Sequence, residues 1–123
     1  MTPLTRIVAI IDDDHHVRSA TSSLIRSLGL HTLTFASAED FLEADSVDVT
    51  CIVSDVQMGG MSGLDLLANL SRHGSGPATI IMTAHATDHI RERAESLGAV
   101  AVLEKPFPAE TLVEALSGVF GPL

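Results

Sequence analysis

A doubly wound α/β fold, five parallel strands in the order 2-1-3-4-5 with helices on both faces, is predicted by three features of this 123-residue sequence. Short apolar runs alternate with helix-length segments from one end to the other, the pattern of a parallel sheet wrapped by its own crossover helices. Most of the runs are continuously apolar, as strands buried on both faces are. The connections are only a few residues long, and right-handed crossovers leave few ways to wind such a chain.

The first strand falls at "IVAII" (7–11). The helix after it carries Val17, Thr21, Leu24, Ile25 and Leu28 at helical spacing and stops at Gly29, a residue suited to a helix C-terminal cap. "HTLTF" (31–35) alternates instead, as an edge strand does. "SAEDFL" from Ser37 and "SGLDLLANL" from Ser62 each set a Ser three residues ahead of an Asp, a helix N-terminal capping arrangement. "CIVS" (51–54), "TIIM" (79–82) and "VAVL" (100–103) supply the other strands. Thr87 starts a helix that runs to Leu97 and is closed by Gly98, and "RHGSGP" (72–77) reads as the turn before the fourth strand. Pro108 opens the last helix, which places Leu112, Ala115, Leu116 and Val119 on one face.

The length suits one domain, residues 1–123, able to bury a core of its own. A net charge of −9, with seven basic residues scattered singly, argues against direct contact with nucleic acid, which needs clustered Lys and Arg. Trp and Tyr are absent, which removes the platforms on which bases or a flavin would stack. No apolar run approaches the length of a membrane span, and "MTPLTRIVAIIDDD" has neither a basic flank nor a small-residue cleavage site, so a cytoplasmic location is expected. Cys51, the single cysteine, excludes an internal disulfide and reads as a small buried apolar residue.

The chemistry gathers at one sheet edge. Asp12 and Asp13 close the first strand, Asp55 the third and Thr83 the fourth, and Lys105 follows the fifth, so parallel strands bring them to the same side. Carboxylates packed together repel unless a cation pairs with them. A hard, oxygen-binding ion meets that need, and Mg²⁺ binds through one or two carboxylates while leaving positions for phosphate oxygens. A carboxylate such as Asp55 beside Mg²⁺ can attack a phosphoryl group in line and form an acyl phosphate. Lys105, the only lysine, can neutralise that phosphoryl group, and the Thr83 hydroxyl can donate to another of its oxygens. Ala84, beside Thr83, keeps the approach open.

"IIDDD", "VSDVQMGGMSG", "IIMTA" and "LEKPF", in this order and at these separations, resemble the receiver domain of bacterial two-component response regulators. The resemblance runs from about Arg6 to Phe120 and is specific as a constellation, although each piece alone is weak. It implies a flavodoxin-like sheet, with Asp55 as phosphoacceptor, Asp13 as a direct Mg²⁺ ligand and Asp12 as a ligand mainly through water. It further implies a metal contact from the Gln57 backbone carbonyl, a switch hydroxyl at Thr83, a phosphoryl-binding Lys105 and a cis peptide between Lys105 and Pro106. The implied partner is a sensor histidine kinase. The subfamily most resembled usually continues into a C-terminal helix-turn-helix DNA-binding transcription domain, which these 123 residues do not include, and a phosphorylation-dependent homodimer is a further implied form.

Two positions depart from the family. Gly59 stands where Pro is usual, which predicts a looser loop after Asp55. Val102 stands where the family has its switch aromatic, so a rotating ring cannot be the readout. Asp14 reads as a helix cap and His15 and His16 as surface residues; His85 and His89 have zinc-like spacing but no third soft ligand. Three functional classes remain. A phosphorylation-controlled switch with an output face on the fourth helix, fifth strand and fifth helix leads. An aspartyl-phosphate-forming Mg²⁺ phosphatase is second, although "DDDHH" fails the D-x-D pattern it would show. A degenerate receiver that only docks is third, against which the full set of Asp, Thr and Lys argues.

Overall fold

The structure, a computed structural model, describes residues 6–44, 48–72 and 76–123; the centre of the "RHGSGP" turn lies outside the described residues. The strands are β1 (Ile7–Ile11), β2 (His31–Phe35), β3 (Val49–Asp55), β4 (Ala78–Thr83) and β5 (Ala101–Glu104). The helices are α1 (His15–Ser27), α2 (Ala38–Glu43), α3 (Gly63–Ser71), α4 (Asp88–Ser96) and α5 (Ala109–Phe120). The sheet order is β2-β1-β3-β4-β5 and every pairing is parallel, the arrangement the alternating sequence predicts.

Each helix begins where local chemistry stops the preceding chain. The Asp14 carboxylate accepts from the His16 and Val17 N–H groups and so caps α1, and Ser37 accepts from Asp40 N–H at the head of α2. Ser62 and Asp65 satisfy each other's backbone N–H groups in a reciprocal capping box that opens α3. Thr87 caps α4 through Ile90 N–H, and Pro108 precedes α5 without a side-chain cap. Gly29 (φ 88°) and Gly98 (φ 93°) end α1 and α4 in the left-handed conformation that a side chain would resist.

Successive strand residues point to opposite faces and so build two cores. Val8, Ile10, Val53, Ile80 and Met82 meet Ile25 of α1 and Leu112 and Leu116 of α5. On the other face Ala9, Ile11 and Ile52 meet Phe41 of α2 and Leu66 of α3, while Ile81 meets Leu64, Leu67 and Ala94. Ile10 is fully buried, so its truncation to Ala should cost about 2–5 kcal/mol.

One strand departs from the expectation of burial on both faces. β5 closes the sheet order, so one side of it has no strand neighbour: Ala101 and Val102 are half-buried and only Leu103 is buried. It begins one residue later than its apolar run suggests, since pairing with β4 starts at Ile80 and Ala101, and Val100 is 53% exposed. β3 extends beyond "CIVS" at both ends. Its extension to Asp55 matters most for the site: Ile11 pairs with Ser54, Asp55 with Met82 and Thr83 with Glu104, so the strands end level at one edge.

Candidate functional site

The three consecutive aspartates that follow β1 have three different environments. Asp12 is fully buried; its Oδ1 accepts from Asp14 N–H at 2.9 Å and its backbone N–H donates to the Phe35 carbonyl at 3.1 Å. Arg18 of α1 donates from Nη1 to the Asp12 carbonyl at 2.7 Å, which fixes the strand end to the helix. Asp13 is exposed. Asp14 is spent on the cap of α1, and its bond from Val17 N–H holds its carboxyl below the usual range.

Asp55 closes β3 and is 8% exposed. One carboxylate oxygen from each of Asp12, Asp13 and Asp55 lies within 4.8 Å of the others, the only such group of metal-binding side chains among the described residues. Lys105 Nζ stands 3.1 Å from Asp12 Oδ2 and 3.5 Å from Asp55 Oδ1. The Lys105–Pro106 peptide that carries it is cis, as the resemblance implies. Burial raises the Asp55 carboxyl above its ordinary value; Lys105 opposes the shift and the neighbouring Asp12 charge adds to it. The donors are all oxygens, their charges are alike, and one lysine faces two of the three carboxylates. Such a set fits a hard divalent cation, for which one or two carboxylates and water are the usual ligands.

The remaining predicted residues sit around this cluster. Thr83 is fully buried at the end of β4; its hydroxyl accepts from His85 N–H at 3.2 Å and lies 3.4 Å from the His85 carbonyl, to which it donates. Gln57 and Gly59 are exposed on the loop from β3 to α3. Val102 is half-buried and packs beside Ile81 and Ala94. His85 and His89 are exposed, on the loop after β4 and in α4, and Cys51 is buried, which pushes its thiol up to about 12.

Five residues with structural parts in the site have no role assigned to them by the sequence alone. Arg18 is one. Glu104, the last residue of β5, accepts from Ala86 N–H at 3.1 Å, while Arg91 donates to the Ala86 carbonyl at 3.2 Å, so the loop between β4 and α4 is held from two sides. Glu39 of α2 accepts from Met61 N–H at 2.9 Å. Gly63 is required by contact: a Cβ there would collide with the Asp55 carbonyl oxygen. Of these, Glu104 and Gly63 had a sequence cue, Glu104 beside Lys105 in "LEKPF" and Gly63 at the end of "VSDVQMGGMSG".

Comparison with known proteins gives the same picture. Transcriptional regulatory protein FixJ of Azorhizobium caulinodans is 41% identical over 115 residues, 93% of this chain and 54% of that protein. Nodulation protein W of Bradyrhizobium diazoefficiens is 38% identical over 111 residues, 89% of this chain and 49% of that protein. The chain thus spans about half the length of these curated relatives. Among solved structures, a response regulator receiver protein from Burkholderia phymatum superposes with a TM-score of 0.83 at 32% identity, over 97% of this chain and 98% of that one. The family description "Response regulator receiver domain" matches residues 8–117, a stretch that takes in the acidic strand end, Asp55, Thr83 and Lys105 together. The chain therefore belongs to the response regulator receiver domain family, whose members are phosphorylation-dependent signalling switches.

Proposed function

We propose that this chain accepts a phosphoryl group on Asp55 from a sensor histidine kinase, with Mg²⁺ held by Asp12, Asp13, Asp55 and the Gln57 backbone carbonyl. The observation that carries the proposal is the convergence of three carboxylates and Lys105 at the ends of β1, β3 and β5. Bound there, Mg²⁺ would offset the carboxylate charges and those of the incoming phosphoryl oxygens. Asp55 is placed to be the nucleophile because it alone ends a strand at the centre of the sheet. Its oxygen forms a new P–O bond while the P–N bond of a phosphohistidine breaks, the electron pair staying on the imidazole nitrogen. Lys105 pairs with one phosphoryl oxygen. Thr83 gives up the His85 carbonyl to donate to another, and the loop between β4 and α4 follows it.

The chain serves as an acceptor that assists its own phosphorylation and its later hydrolysis, rather than as an enzyme turning over a separate substrate. The 123 residues act as one receiver unit. No helix among the described residues is long and apolar enough to cross a membrane, and the proposed location is the cytoplasm, where a kinase's phosphohistidine is accessible. Since FixJ, named a transcriptional regulatory protein, is about twice as long, the proposed output is control of a DNA-binding domain through the face of α4, β5 and α5. Incubation with acetyl phosphate followed by intact-mass measurement tests the reading. One added phosphoryl group should appear with Mg²⁺ and none with chelator; equal labelling with chelator would refute it.

A further inference from the structure

The loop between β3 and α3, residues 56–62, is tied to the scaffold at its ends. Val56 N–H donates to the Met82 carbonyl at 2.9 Å, and Gly63 N–H donates to the Val56 carbonyl at 3.0 Å. Between those ends the loop carries Gln57, Gly59 and Gly60, all exposed, and two glycines leave the backbone free to vary unless something outside the loop restrains it. The restraint comes from α2. Met58 and Met61 lie against the cluster formed by Ala38, Phe41 and Leu66, and Met61 N–H donates to Glu39 Oε2 at 2.9 Å, a bond between residues 22 apart in the chain. Gly60 lets the carboxylate come this close, since a Cβ at that position would run into Glu39 Oε2. The bond from Met61 also holds the Glu39 carboxyl below its ordinary value, so it is ionised, and a strong acceptor, at neutral pH.

We infer that Glu39 is a positioning residue for the metal site: with Gly60 it latches the loop that presents the Gln57 carbonyl, doing from α2 what a rigid residue at position 59 would do from within. The inference rests on the Mg²⁺ and phosphoryl-acceptor reading above and adds to it a residue outside the acidic cluster. Mg²⁺ demands near-ideal geometry of its ligands, so a carbonyl on an unrestrained loop must be ordered when the ion binds, and groups that orient a ligand without touching the metal raise affinity by removing that cost.

The test compares wild type, Glu39→Ala, Glu39→Gln, Gly60→Ala and the double variant Glu39→Ala/Gly60→Ala. Mg²⁺ affinity is measured by calorimetry, and hydrogen exchange is measured at the Met61 amide. Both sites are exposed and one hydrogen bond is worth about 0.5–1.5 kcal/mol, so all five proteins should remain folded at the temperature of the titration. Glu39→Ala should weaken Mg²⁺ binding roughly 2- to 12-fold, the range one hydrogen bond is worth, and speed Met61 exchange. Glu39→Gln keeps an acceptor oxygen and should recover part of both. Gly60→Ala should weaken Mg²⁺ as well, because the glutamate side chain swings aside, yet add nothing once Glu39 is gone. Wild-type Mg²⁺ affinity in Glu39→Ala, or full additivity in the double variant, would overturn the positioning role alone. A wild-type protein that binds no Mg²⁺ would overturn the underlying reading of the acidic cluster, and this inference with it.

Discussion

Lys105 Nζ lies 3.1 Å from Asp12 Oδ2, closer than the 3.5 Å that separates it from Asp55 Oδ1. The ammonium is thus shared, and its nearer partner is the fully buried carboxylate rather than the proposed acceptor. It offsets the charge of Asp12 and Asp55 while remaining 22% exposed, free to follow a phosphoryl oxygen.

Lys105→Ala should therefore destabilise the metal-free protein by about 1–3 kcal/mol, the cost of leaving a buried acceptor with its charged donor removed. Mg²⁺ should bind the variant as tightly as wild type or more tightly, because the cation no longer competes with an ammonium, and should restore most of the lost stability. Calorimetric titration alongside thermal unfolding checks both; a marked loss of Mg²⁺ affinity would count against this placement of Lys105.

The pH dependence of stability should carry the signature of Asp55. Burial holds its carboxyl above the ordinary value, and Asp12 adds to that against Lys105. An acid whose pKa rises on folding binds more protons folded than unfolded between the two values. Stability therefore falls as pH rises through that window, and the penalty is complete above the folded value. Asp55→Asn removes this titration. In chelator the variant should outlast wild type at neutral pH, and its advantage should disappear below the ordinary value of 3.8. An advantage that grows towards acid would reverse the sign of the shift.

Much of the fold and the acidic cluster is legible in the sequence because each depends on local pattern. Apolar runs mark the strands, Ser37, Ser62 and Thr87 mark helix starts, and a parallel sheet then carries Asp12, Asp55, Thr83 and Lys105 to one edge. What is not legible depends on backbone groups meeting distant side chains. Glu39 and Glu104 are exposed acids of the kind that usually face solvent, and their partners are the N–H groups of Met61 and Ala86, 22 and 18 residues away. Nothing in a side-chain pattern signals a bare N–H. The partial exposure of β5 is hidden for a different reason: "VAVL" is as apolar as a central strand, and Ala101 and Val102 still pack, one on each face of the sheet.

The double hold on Ala86 makes the loop between β4 and α4 a second place to look. Glu104→Ala should raise hydrogen exchange at the Ala86 amide about 2- to 12-fold without changing α1 or α2, matching the loss of one hydrogen bond. Phosphorylation, or beryllofluoride as its mimic, should change exchange across residues 84–90, since drawing Thr83 away from His85 moves the same backbone. Changes confined to α1 and α2 would rule out this route.

The glycines of the loop after Asp55 should behave differently from one another. A Cβ at Gly63 meets the Asp55 backbone oxygen, which cannot swing aside, whereas a Cβ at Gly59 meets nothing within 4 Å. Gly63→Ala should cost about 1–3 kcal/mol and slow phosphorylation by displacing Asp55. Gly59→Ala should be neutral or stabilising by up to about 1 kcal/mol through the unfolded chain. Equal effects at the two positions, by thermal unfolding and labelling rate, would contradict the contact at Gly63.

The most direct measurement is to locate the phosphoryl group itself. After labelling with acetyl phosphate and Mg²⁺, borohydride reduction of the acyl phosphate and peptide mapping should find the modified residue at Asp55 alone, and Asp55→Asn should acquire no acid-labile phosphoryl group at the wild-type rate. Modification at Asp12 or Asp13, or undiminished labelling of Asp55→Asn, would contradict the assignment of Asp55 as the acceptor.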